Sequence, residues 1–276
     1  MNSNINSINE YLNYIDKDLY IEKVSCKFLA KKFGTPIYCY SLNKIEDNFR
    51  RLKRSFSKIN PMICYAVKAN YNGKILSTLS KLGSGADVVS QGELKKSLDF
   101  GIKPEKIVFS GVGKTSAEIG YALKKGIKQI NVESEEEVHD ILEICKKNQQ
   151  YKINISIRVN PNVDAKTHEK ISTGRLEDKF GIPIKNVKEI FIKFKNYKSL
   201  KINGLSIHIG SQILSISPFE KAFKKIRGEI IRLKKIGFKI RTLDLGGGIG
   251  INYNNNKVLP LGSYARCIEK YFGDLN

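Results

Sequence analysis

The sequence lacks the features that would place it in several common classes. Its five cysteines are Cys26, Cys39, Cys64, Cys145 and Cys267, with no C-x-x-C pair among them. That scatter suggests neither a disulfide framework nor a zinc site. Cys64 and Cys145 stand in apolar positions and read as packing residues. No segment approaches the length of a membrane span. The opening Met1-Asn2-Ser3-Asn4-Ile5-Asn6 is polar and carries no hydrophobic run of the signal type. These absences lead us to expect a soluble, cytoplasmic protein of a reducing compartment. No G-x-G-x-x-G follows the first buried strand, which weakens a dinucleotide-binding reading. Histidine is scarce, at three residues.

Positive charge is abundant, with a net +21 over 276 residues. Such a balance can signal a polyanion partner. Here the lysines come as pairs within amphipathic stretches: Lys95-Lys96, Lys124-Lys125, Lys146-Lys147, Lys224-Lys225 and Lys234-Lys235. Pairs so placed form solvated helix faces, so no nucleic acid is expected as the main partner. The 41% hydrophobic content suits a globular core.

Residues 1–30 read as a polar lead with a helix around Ser25–Phe33, and Pro36–Ser41 reads as a strand. A helix follows over Leu42–Ser57. Then a unit repeats: apolar strand, polar turn, amphipathic helix, glycine. The strands are Ile63–Val67, Ala86–Val89, Ile107–Phe109, Gln129–Val132, Ile153–Val159, Ile202–Ile209 and Thr242–Leu245. Ser90, Thr115, Ser134 and Ser217 each stand three residues before a glutamate, as in a capping box. Through the first half, strands recur roughly every 22–25 residues with helices between, which means βαβ units and a parallel sheet. Polar residues gather at strand C-termini: Lys68, Ser90, Ser110, Glu133, Arg158 and His208. That is the pattern of an α/β protein of the (β/α)8 TIM-barrel type. Seven barrel strands are counted, and the eighth is expected to be missing.

Four groups carry chemistry. Ile63-Cys64-Tyr65-Ala66-Val67 ends in Lys68, a lysine where a buried strand gives way to a loop. It either snorkels to the rim or is held there partly desolvated, where its amine could form an imine with an aldehyde. Asp244-Leu245-Gly246-Gly247-Gly248-Ile249-Gly250 supplies successive glycines, whose N–H groups can converge on an anion. His208, between two isoleucines, could be a core residue, but it stands beside Gly210 and Ser211 at a strand end. Asp87 and Arg158 are charged residues in buried strands. They pair either with each other or with a ligand. A lysine, a histidine and a phosphate loop together suggest a phosphorylated aldehyde, and pyridoxal 5′-phosphate (PLP) fits.

At these residues the chain resembles the diaminopimelate decarboxylases, of the fold-type III PLP enzymes that include ornithine and arginine decarboxylases and alanine racemase. The matching stretches are Tyr65–Asn70, Ala86–Leu94, Phe109–Thr115, Arg158–Asp164, Lys166–Gly174, Lys179–Ile182, His208–Ile213 and Asp244–Gly250. The resemblance implies that Lys68 is the Schiff-base lysine. It implies that Asp87, Arg158, His208, Ser211, Gly246, Gly247 and Gly248 surround the cofactor, with His208 against its ring and Ser211 and the glycines at its phosphate. Lys68 and His208 would be the catalytic pair, and no metal is implied. The implied reaction removes CO2 from meso-2,6-diaminopimelate to give L-lysine. A homodimer is implied for a full-length member.

Such a member carries a Glu-Pro-Gly-Arg motif and a C-terminal β domain, neither present in this sequence. The expectation is a fragment with weak activity or none. Residues 1–41 would form an N-terminal segment whose strand joins that β domain. Residues 42–276 would form an incomplete PLP-binding barrel. The alternatives are a related ornithine, arginine or lysine decarboxylase, an amino-acid racemase, and a non-catalytic PLP-binding barrel.

Overall fold

The computed structural model describes residues 5–148, 151, 153–165, 174, 180–252 and 258–275. The expected Lys166–Thr173 and Lys179 matches lie outside the described residues. The chain divides into two compact units, Met1–Leu52 and Lys53–Asn276.

The first unit opens with an antiparallel meander of β1 (Ile5–Asn9), β2 (Leu12–Ile15), β3 (Asp18–Ile21) and β4 (Val24–Ser25). Ile15 pairs with Asp18, so Asp16 and Lys17 alone make the β2–β3 turn. Both have positive φ, 47° and 72°. That is the primed two-residue turn whose twist matches the flanking strands. A polar lead was expected here instead. Helix α1 (Cys26–Phe33) follows, and α2 (Leu42–Ser55) crosses the unit boundary. The expected strand at Pro36–Ser41 is not formed. The segment has no strand partner among the described residues, and Tyr38 is 91% exposed. Without a ladder, β-prone side chains cannot hold a strand.

The second unit repeats strand and helix in register with the expectation. It runs β5 (Cys64–Ala66), α3 (Gly73–Lys81), β6 (Gly85–Val88), α4 (Gln91–Asp99), β7 (Ile107–Phe109), α5 (Ser116–Lys125), β8 (Gln129–Val132), α6 (Glu135–Lys147) and β9 (Ile153–Asn160). It continues with the two-residue β10 (Ile182–Pro183), α7 (Val187–Phe194), β11 (Leu200–Ser206), α8 (Ser217–Lys235), β12 (Thr242–Asp244) and α9 (Leu261–Phe272). The sheet order is β12-β11-β9-β8-β7-β6-β5, every pair parallel, with β10 beside β9.

Each element forms for a local reason. Ile107, Val108 and Phe109 are all buried, as a parallel strand covered on both faces requires. In α6, Val138, Ile141, Leu142 and Cys145 recur at helical spacing and are the buried stripe. Burying a side chain such as Ile141 contributes ~2–3 kcal/mol. Thr115 forms a full capping box with Glu118, and Gly126, at φ 66°, ends α5 in the left-handed region. Ser217 makes no such cap. It lies inside α8, after Ile216, beside Pro218. The five lysine pairs all lie exposed on helices.

The sheet curls. Asn131, on β8, donates to Asp244, on β12, at 2.8 Å. These strands are three steps apart, which would be about 14 Å across a flat sheet. Only barrel-like curvature brings them together. The unit is thus a TIM-type barrel of seven consecutive strands, with the two-residue β10 beside β9 and no strand closing β12 against β5 among the described residues. No described helix is long and apolar enough to cross a membrane.

Candidate active site

Because all seven strands run parallel, everything that follows a strand lies at one end of the barrel. Lys68 follows β5, Ser110 follows β7, His208 follows β11, and the Gly246–Gly248 loop follows β12. The lysine and the glycine loop therefore share an end.

Lys68 sits in a single tight turn, Val67–Ala69, closed by Asn70 N–H to Val67 O at 3.1 Å. Tyr65 Oη steadies the same turn through Asn70 O at 3.1 Å. Val67 is buried and Lys68 is exposed. The partial desolvation considered above is absent. The turn carries the amine out of the sheet to the rim.

Asp87 lies on β6 and accepts from Ser110 Oγ at 2.6 Å. Burial pushes its carboxyl up to about 6, and Asp244 adds to that, while Ser110, Lys68 and Arg158 oppose it. Asp87 is not the partner of Arg158. The Arg158 guanidinium donates to Glu133 at 2.6 Å and lies over the Phe180 ring at 4.8 Å. Glu133 also accepts Gly111 N–H at 3.2 Å and Gly181 N–H at 3.0 Å. The reason is register: Arg158 and Glu133 stand at adjacent strand ends, whereas β6 lies two strands beyond β8.

β11 ends at Ser206, so His208 stands beyond the strand rather than within it. Burial drives its imidazole down to about 4, helped by the positive charges of Arg158 and Lys68. It is neutral at physiological pH. Its Nδ1 accepts Gly247 N–H at 3.3 Å, which leaves the proton on Nε2. Lys68 and Arg158 thus act electrostatically on both Asp87 and His208 at one end of the barrel.

The glycine loop is zipped to residues 210–214. Ile213 N–H reaches Gly248 O at 2.8 Å, and Gly250 N–H reaches Ile213 O at 3.0 Å. Gln212 holds the backbone of Ile251 from both sides, at 2.8 and 3.1 Å. Two glycines are there for the protein's own geometry. A Cβ at Gly246 would lie 2.3 Å from Ile207 O, and one at Gly248 2.0 Å from Gly210 O, both with positive φ. Gly247 is different. It lacks a positive φ, and its Cβ would meet nothing within 4 Å. The N–H groups of Gly248 and Ile249 take no partner among the described residues. Ser211, exposed, leaves its hydroxyl likewise unbonded among them. An open face at Gly247, backbone donors and a hydroxyl fit a phosphate group.

Lys114, Asn131 and Asp244 belong to the same interior and were not singled out as site residues. Lys114, in Gly111-Val112-Gly113-Lys114-Thr115, has the look of a phosphate-loop lysine. Its side chain is 1% exposed and is spent on Glu137 at 2.8 Å, Asn131 O at 3.0 Å and Gly111 O. The signal for Asn131 was the alternation Gln129-Ile130-Asn131-Val132-Glu133, a polar face on a buried strand.

Residues 42–275 match the profile described as pyridoxal-dependent decarboxylase, pyridoxal binding domain. The chain belongs to this family. It is 46% identical over 245 residues to the diaminopimelate decarboxylase of Aquifex aeolicus, covering 89% of this chain and 58% of that protein. Against the same enzyme of Pseudomonas aeruginosa it is 40% identical, covering 94% and 62%. The crystal structure of diaminopimelate decarboxylase from Helicobacter pylori, complexed with L-lysine, superposes with a TM-score of 0.87 at 43% identity, covering 90% and 63%. A lysine decarboxylase from Selenomonas ruminantium, at 24% identity and TM-score 0.79, shares the fold. The chain spans about three fifths of the length of these relatives. Membership of a family defined by its pyridoxal binding domain makes pyridoxal phosphate its cofactor.

Proposed function

We propose that this chain is the cofactor-binding barrel of a decarboxylase that converts meso-2,6-diaminopimelate to L-lysine and CO2. One observation carries the reading: an exposed lysine and an open glycine cradle stand at the same barrel end, with a neutral histidine bonded to the cradle. Relatives at 40–46% identity bear that enzyme's name.

PLP, when bound, supplies an aldehyde that joins an amine and a ring that accepts the electron pair of a breaking C–C bond. The chain's own residues would divide the work of holding it. Lys68 offers its amine to the aldehyde. Ser211 and the amides of Gly248 and Ile249 receive the phosphate against the open face of Gly247, while Gly246 shapes the loop that presents them. His208 offers a flat uncharged ring, and its Nδ1 bond to Gly247 fixes the ring relative to the cradle. Asp87, with its carboxyl near 6, holds or releases a proton at its free oxygen close to neutral pH. Arg158 is aligned by Glu133 and Phe180 at the same end.

We place the division near residue 41: residues 1–41 as a segment that joins a C-terminal β domain, residues 42–276 as the barrel. A homodimer of the full-length protein, a cytoplasmic location and no nucleic-acid partner belong to the same reading. The sequence contains no Glu-Pro-Gly-Arg stretch to partner the ring nitrogen, so the 276 residues alone turn over weakly or not at all.

The test has two parts. PLP added to the chain should give a yellow absorbance that is lost in Lys68→Ala. CO2 release from meso-2,6-diaminopimelate should be near background for the 276 residues. It should rise when a C-terminal domain carrying the missing motif is supplied. Absorbance unaffected by Lys68→Ala would refute the assignment.

A further inference from the structure

On and just after β8, the alternate residues Gln129, Asn131 and Glu133 are 3%, 3% and 7% exposed. Buried polar side chains persist where every donor and acceptor is used. Asn131 uses its whole amide. Its Oδ1 accepts from Gln129 Nε2 at 3.0 Å. Its Nδ2 donates to Ser110 Oγ at 3.0 Å and to Asp244 Oδ2 at 2.8 Å. The two donated contacts continue further. Ser110 donates to Asp87 at 2.6 Å, and Asp244 Oδ1 accepts Gly246 N–H at 2.8 Å. An unbroken run of hydrogen bonds therefore passes from Asp87, within the field of Lys68, to the first amide of the glycine loop.

We infer that Asn131 is a positioning residue for the cofactor site, a strut that fixes the glycine loop relative to the Lys68 side of the barrel. This rests on the reading of the site as a PLP site. A ligand of fixed length held at both ends needs those ends at a fixed separation. The residue type follows from the contacts. Between a carboxylate and a hydroxyl that itself donates to a carboxylate, the side chain must give two protons. Facing Gln129, it must also accept one. A carboxylate there has no proton to give, and a leucine has neither function.

The groups around Asp87 are Asp244 from β12, Lys68 after β5, Arg158 from β9, Cys64 from β5 and the Ser110 hydroxyl. In Asn131→Asp a third carboxylate joins Asp87 and Asp244. Close carboxylates share protons, so lowering the pH restores one donor at position 131.

The 276-residue chain is compared with Asn131→Asp and Asn131→Leu by two measurements. The first is amide hydrogen exchange over residues 243–250 without ligand. Gly246 N–H should exchange ~10-fold faster in both variants. The second is titration with PLP, followed by the Lys68-dependent absorbance, from pH 8 to pH 5.5. Both variants should bind ~10-fold more weakly at pH 8. The deficit relative to wild type should narrow on acidification for Asn131→Asp and stay constant for Asn131→Leu. If Asn131→Leu does not fold, the isosteric Asn131→Asp decides alone. Unchanged exchange at Gly246, or a deficit in Asn131→Asp that is the same at every pH, overturns the strut. Faster exchange in the variants with no Lys68-dependent absorbance in wild type overturns the function and leaves the strut standing.

Discussion

Gly247 and Gly248 are neighbours with opposite reasons for being glycine, and exchanging each for alanine separates stability from ligand binding. At Gly248 the backbone has φ 100°, and a methyl would lie 2.0 Å from Gly210 O. Left-handed backbone costs an alanine ~1–2 kcal/mol. Relieving the overlap moves Gly248 from Ile213, whose N–H bond to it is 2.8 Å, at a further ~1 kcal/mol. Gly248→Ala should therefore destabilise by about 2–3 kcal/mol, lowering Tm by roughly 4–12 °C. At Gly247 neither penalty exists, and an alanine there is neutral or slightly stabilising through the unfolded chain. Its methyl instead occupies the space assigned to a phosphate. Overpacking of about 1–3 kcal/mol converts to ~5- to 150-fold weaker PLP binding. The assays are thermal melting without ligand and PLP titration by absorbance. A Gly247→Ala variant that binds PLP as wild type does would refute the placement of the phosphate. A Gly248→Ala variant with an unshifted Tm would refute the account of the loop.

Three further outcomes are expected. Glu133→Gln leaves Arg158 charged and buried without its carboxylate, which should cost ~3–5 kcal/mol and show as a lower urea midpoint; a midpoint equal to wild type would count against the ion pair. Thr115→Ala removes a capping box and should cost ~1 kcal/mol in the same assay without altering PLP affinity. Asp87 and His208 oppose each other in their pH dependence. The Asp87 carboxyl, raised from 3.8 to about 6, contributes stability at low pH that is lost as pH rises through about 6. His208, lowered from 6.5 to about 4, contributes stability above 6.5 that is lost as pH falls through about 4. Asp87→Asn removes the first and should make stability fall more steeply from pH 7 to pH 4.5 than in wild type, by at most of order 3 kcal/mol. An unchanged slope would show that Asp87 titrates elsewhere.

The repeating unit was legible in the sequence because burial on both faces leaves a strong local signature. Ile107–Phe109 and Gln129–Val132 match the observed strands residue for residue. The placement of Lys68, His208 and the glycines at one end followed from that, since parallel strands leave no other choice. The meander at Ile5–Ser25 was not legible. Its strands are short, and its turn is made by Asp16 and Lys17 without a glycine. Only the tolerance of aspartate for positive φ hints at it. Pro36–Ser41 misled in the other direction, since β propensity says nothing about whether a partner ladder exists. The partner of Arg158 stayed open between Asp87 and a ligand, because finding Glu133 requires strand order and curvature, which no local pattern contains. The Asn131 contacts failed to show for the same reason: one spans twenty-one residues of sequence and the other more than a hundred.

The locking of Lys114 between Glu137 and two carbonyls also governs how the molecule meets reagents from solution. An amine with 1% of its side chain accessible is shielded from acylating agents and from aldehydes. Lys68 is open to both. Borohydride reduction of the PLP-treated chain should therefore leave a stable tag on the peptide containing Lys68 and none on the one containing Lys114. A lysine in a glycine-rich run that looks suited to phosphate would be chemically silent, while the plainer one at the end of β5 takes the label.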